Sequence, residues 1–275
     1  MRRVGIGLRA ELFRRFLLSG LSWEITVPAV VLALVVLVWP SHANENPETY
    51  ISKLPRSGAF RIVVLGDSLA DGLHHGLTQL NKDREDIDTD RKSKVNTGLV
   101  RSDRFDWNRG AKKIARRGRY HAAIVQLGLN DLQTIREKGK AHHYKTDGWI
   151  KRYTSRVEQM MADLKSKGMA VYWVGIPIVA KSHYQSEFLY LNTVFKAAAE
   201  KTGVRFVDTW EPLASPRGKY RASHKLKNGK TVEIRRRDGV HFTPQGYQIF
   251  AGFVNDIVLD DLTKAGFISA SSSSE

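Results

Sequence analysis

The sequence contains no cysteine. Thiolate nucleophiles and disulfide bridges are therefore excluded, while the compartment stays open. Acidic residues are in short supply, with 28 Asp and Glu against 44 Lys and Arg and a formal charge of +16. Five bases and two acids precede residue 25, so setting them aside leaves 39 against 26, or +13. A body this basic suits an anionic neighbour: nucleic acid, an acidic polymer or an anionic membrane surface. No nucleic-acid-binding motif is present, so charge alone speaks for that partner. Internal repeats are also missing. Long hydrophobic runs are scarce, although 42% of the residues are hydrophobic and a sizeable core can form.

The one long apolar run lies near the start. Ile25 to Trp39 is an uncharged stretch of 15 residues. As a helix it spans about 22 Å, short of a ~30 Å hydrocarbon core. The basic residues Arg2, Arg3, Arg9, Arg14 and Arg15 precede it. Such a leader holds its own end in the cytoplasm and sends the rest outward. Ser41 and Ala43 supply small residues for signal-peptidase cleavage after Ala43. Residues 1–43 are expected to be either a signal peptide or a retained inner-membrane anchor. Both place the remainder in the periplasm or another extracytoplasmic space. Residues 44–57, with Pro47 and Pro55, read as a linker. Residues 58–266 form the expected globular body, and the serine-rich 267–275 reads as a disordered tail.

Within that body, short apolar runs alternate with helical stretches. Residues 61–66, 121–128, 169–176 and 204–210 read as strands. Residues 68–80, 148–168, 189–203 and 243–266 read as helices, the last opening on Thr243-Pro244 as N-cap and first helical residue. Alternation of this kind predicts an α/β fold with a mainly parallel sheet between helix layers. Sites in such folds lie at the carboxyl ends of the strands. Two polar stretches interrupt the pattern, 133–148 and 215–239. Asn228-Gly229 in the second predicts a β-hairpin.

Gly66-Asp67-Ser68 ends the first strand. Ser68 with Asp71 three residues later forms a capping box, so Ser68 reads first as the start of a helix. It is not the G-x-S-x-G elbow of the α/β-hydrolases. A serine nucleophile needs a base, a group that orients the base, and donors aimed at an oxyanion. Asp238 and His241 stand just before the final helix. Asn130 follows the second strand. Gly98 lies in a loop where a missing side chain admits close backbone approach. Each of these also has an ordinary reading as turn or loop chemistry. His74-His75 and His142-His143 are metal-ligand types, but no spacing pattern supports them.

Taken together, "GDSLADG", "NTG", "GLND" and "DGVH" resemble the four blocks of the SGNH (GDSL) hydrolases over about residues 60 to 264. The resemblance implies a flavodoxin-like three-layer α/β/α fold without metal or cofactor. It implies Ser68 as nucleophile, His241 as general base and acid, and Asp238 as its orienting carboxylate. The Ser68 and Gly98 N–H groups and the Asn130 amide would form the oxyanion hole. The leader, the insertion before Asp238 and the 98–107 stretch look like a bacterial cell-envelope subgroup. Arg235, Arg236 and Arg237, with Arg101 and Arg104, form a candidate basic wall for an anionic substrate. The expected activity is hydrolysis of acyl esters, O-acetyl groups on a glycan among them. An O-acyltransferase with the same triad and a tethered glycan-binding module with an inactive site are the alternatives.

Overall fold

The computed structural model describes Ile51 and residues 58–268. The expected signal or anchor helix and most of the linker and tail lie outside the described residues. No helix among the described residues is long and apolar enough to cross a membrane. Ile51, inside the stretch read as linker, is buried.

Five parallel strands make the main sheet: β1 (Phe60–Gly66), β2 (Ile87–Ser93), β3 (Ala122–Gln126), β6 (Ala170–Val174) and β7 (Arg205–Val207). Their order is β2-β1-β3-β6-β7. Two small antiparallel hairpins sit apart from it. One pairs β4 (Ile135–Glu137) with β5 (Lys140–His142), and the other β8 (Ser223–Lys225) with β9 (Thr231–Glu233). The helices are α1 (Ser68–Leu80), α2 (Trp107–Arg117), α3 (Asp147–Lys165), α4 (Ser182–Thr202), the short α5 (Trp210–Leu213) and α6 (Pro244–Lys264).

Burial on both faces explains the unbroken apolar strands. In β1, Val63 and Leu65 face the α2–α3–α4 layer, while Ile62 and Val64 face α1 and α6. Ala123 and Val125 of β3 repeat the first set, and Ala122 and Ile124 the second. Period-two alternation sends successive side chains to opposite layers, so the positions covered by both layers are apolar. On the helix side, Leu69, Leu73 and Leu77 of α1 meet Tyr247, Phe250 and Val254 of α6. Each such leucine stabilises the fold by roughly 1.5–3 kcal/mol through area removed from water.

The chain reverses its winding direction at β1 and β3, which is the switch point of an open sheet. Their carboxyl ends release Ser68 and Asn130 on the same edge. The edge strand β2 and helix α2 were not legible in the sequence. Only Ile87 of β2 is buried, and α2 buries just Trp107, Ala111 and Ala115. The hairpin expected around Asn228-Gly229 is present, and a second one lies within 133–148.

Candidate active site

Ser68 sits at the first turn of α1, but it is not the cap. The N-cap is Asp67, whose carboxylate accepts from Leu69 N at 2.9 Å. The expected capping box is therefore not made. Asp71 instead accepts from Arg91 Nη1 at 2.9 Å and Ser93 Oγ at 2.6 Å. Capping by the preceding residue leaves the Ser68 hydroxyl available. Gly66 makes the turn possible. Its φ is +143°, and a Cβ there would lie 1.8 Å from the Gln126 carbonyl oxygen. No other residue fits between β1 and β3 at that point.

The Ser68 hydroxyl meets His241 Nε2 at 2.8 Å, across 173 residues of sequence. His241 Nδ1 lies 2.7 Å from Asp238 Oδ2. An ionised carboxylate only accepts, so Nδ1 carries the proton and Nε2 accepts from Ser68. Asp238 Oδ1 takes two further bonds, from the Val240 and His241 N–H groups, each at 2.9 Å. Partial burial alone would raise the Asp238 pKa. The bonds from the His241 ring and these two N–H groups outweigh it and hold the carboxyl below its usual range.

Arg235 fixes the segment carrying Asp238 and His241. Its buried guanidinium donates to Val240 O and Ile178 O, both at 2.7 Å, and stacks 3.6 Å from the Phe242 ring centroid. Burial pulls its pKa down to about 10, so it remains charged at neutral pH. Arg235 is thus an internal strut and does not belong to a basic wall.

Gly98 and Asn130 come together as well. Asn130 Nδ2 donates one N–H to Thr97 O at 2.9 Å and retains a second. Asp131 clamps the same loop, accepting from Leu99 N at 3.1 Å, Val100 N at 2.9 Å and Tyr153 Oη at 2.8 Å. A Cβ on Gly98 would lie 2.1 Å from Asp131 Oδ1, so the clamp closes only on glycine. Sequence reading missed Asp131 and Asp67, two buried carboxyls beside the site. Their signal was adjacency to Asn130 and Ser68, which turn chemistry equally explains.

Two clefts meet at His241. The first, of about 740 Å³, is lined by Ser68, His74, His75, Arg91, Arg236 and His241 among others. The second, of about 490 Å³, includes Leu129, Asn130, Tyr184, Phe188, Asp238 and His241. Arg101 and Arg104 line neither. Arg101 is held by Asp103 through bonds of 2.8 and 2.7 Å. Among the described residues, no group of three or more His, Asp or Glu is placed to hold a metal ion.

The fold matches solved structures at low identity. A GDSL-like lipase from Bacteroides thetaiotaomicron shares 14% identity at a TM-score of 0.51, covering 73% of this chain and 88% of that one. An acetylxylan esterase from Geobacillus stearothermophilus, determined as a catalytic mutant, shares 15% at 0.51, covering 78% and 100%. A carbohydrate esterase family 3 protein from Talaromyces cellulolyticus shares 13% at 0.51, covering 73% and 96%. No curated protein matches the chain. A family model described as "Protein of unknown function (DUF459)" matches residues 61–256. The chain has the SGNH hydrolase-like fold and belongs to the DUF459 family.

Proposed function

We propose that this protein is a serine esterase that hydrolyses acyl esters, O-acetyl esters of a glycan among them, in the bacterial cell envelope. The observation that carries the reading is the continuous Ser68–His241–Asp238 chain of hydrogen bonds. The esterases and lipase that share the fold support it. The envelope location rests on the basic leader and apolar run of residues 1–43.

Catalysis then runs as follows. Ser68 Oγ attacks the ester carbonyl carbon while His241 Nε2 takes its proton. Asp238 steadies the imidazolium that forms. The Ser68 N–H, the Gly98 N–H and the second Asn130 amide hydrogen receive the oxyanion. His241 returns the proton to the leaving alcohol, and an acyl-serine remains. Water, deprotonated by His241, attacks it; the acyl C–Oγ bond breaks, the acid leaves, and His241 returns the proton to Ser68 Oγ. Asp131 does not touch substrate in this scheme; it holds the loop that presents Gly98.

Loss of one oxyanion donor lowers kcat by roughly 10²–10³-fold, about 3–4 kcal/mol. Asn130→Ala should show that loss on 4-nitrophenyl acetate with an unchanged circular dichroism spectrum. Wild-type turnover in this variant would remove Asn130 from the oxyanion hole.

A further inference from the structure

The two clefts differ in character, and their chemistry separates the two halves of an ester. Asn130 lines the second cleft, alongside Leu129, Tyr184 and Phe188. Ser68 lines the first, together with the guanidinium-bearing Arg91 and Arg236. His241 borders both. The leaving oxygen must reach His241 Nε2 on the side away from the Asn130 amide, which directs the alcohol into the first cleft.

The carboxylates bordering the two clefts are already engaged. Asp71 is taken by Arg91 and Ser93. Asp238 is taken by His241. Arg236 gives only its Nε, to Phe242 O at 3.2 Å, and forms no ion pair among the described residues. An exposed guanidinium without a carboxylate, beside a nucleophile, is a ready anion partner. Arg91 lines the same cleft, with its side chain 57% exposed.

Resting on the esterase reading, we infer that the first cleft is a subsite for a carboxylate carried on the alcohol half of the ester. Arg236 is its main contact. Arg91 is a second, for which Asp71 competes. A cleft lined by Arg91 and Arg236 suits an acidic sugar in an acylated polysaccharide better than a neutral one.

Paired esters test this directly. 3-Acetoxybenzoate and 3-acetoxybenzamide release alcohols of nearly equal shape, one anionic and one neutral. Arg236→Gln should lower the benzoate-to-benzamide ratio of kcat/KM about tenfold, as for loss of one charge-assisted contact. Added salt should lower the same ratio in the wild type. Asp71→Asn should raise it, because Arg91 loses its competing carboxylate. The amide substrate reads out any general disturbance of His241. Equal effects on both esters would overturn the subsite while leaving the esterase reading intact. If the wild type turns over neither ester, the esterase reading fails. The subsite is then read by calorimetric binding of 3-hydroxybenzoate and 3-hydroxybenzamide to Ser68→Ala. Tighter binding of the anion supports it, and equal binding overturns it.

Discussion

Asp67 carries two duties at one position. It caps α1 through Leu69 N–H, and it stands fully buried directly before Ser68. Burial raises its pKa to about 7, with the Asp131 charge adding to the rise and the Leu69 bond opposing it. In an unfolded chain the same carboxyl ionises near 3.9. Between about pH 4 and 7, therefore, the unfolded chain has released a proton that the folded chain keeps. The stability contributed by this group is complete below about pH 4 and is lost as pH rises toward 7, by up to about 1.4 kcal/mol per unit. Asp67→Asn keeps an acceptor for Leu69 N–H but cannot ionise. Its melting temperature, followed from pH 4 to 7, should rise relative to the parent across that window. Parallel melting curves would show that Asp67 does not titrate there.

The elements that set the geometry are short and lie between the long helices. The turn from β1 into α1 depends on Gly66. The segment from β9 to α6 depends on Arg235, which ties Val240 to Ile178 beyond the end of β6. Arg235→Gln would leave buried carbonyls unpaired at a cost of about 2–4 kcal/mol. The expected outcome is a lower melting temperature together with a fall in kcat larger than the change in KM. The reason is that the His241 segment loses its support, whereas neither cleft loses a lining group. A variant with lower stability and wild-type kcat would make Arg235 purely structural.

Across the whole molecule, legibility followed the strength of the local pattern. Strands buried on both faces, such as β1, β3 and β6, are dominated by apolar residues and could be read directly. So could α6, whose Thr243 cap accepts from Gly246 N–H at 3.0 Å. The edge strand β2 could not, because its ladder is supplied by backbone bonds to β1 while its side chains are nearly all polar. In the site, Ser68, Asp238 and His241 were readable as chemistry-bearing residues at loop ends. Their contact was not, since 173 residues separate Ser68 from His241. The cap was misassigned to Ser68, because Asp67 and Ser68 are both good N-cap residues and sequence alone does not choose between them. Arg235 shows the same limit: within a run of three arginines, only tertiary packing decides which one turns inward.

On the proposed function, Ser68 is an activated nucleophile just beyond the carboxyl end of β1. Labelling with a fluorophosphonate tests it most directly. The wild type should be modified at a single site that peptide mapping locates to Ser68, and Ser68→Ala should remain unlabelled. His241→Ala should label far more slowly, because the hydroxyl loses its base. A properly folded wild type that takes up no label, or one labelled equally in Ser68→Ala, would contradict the account.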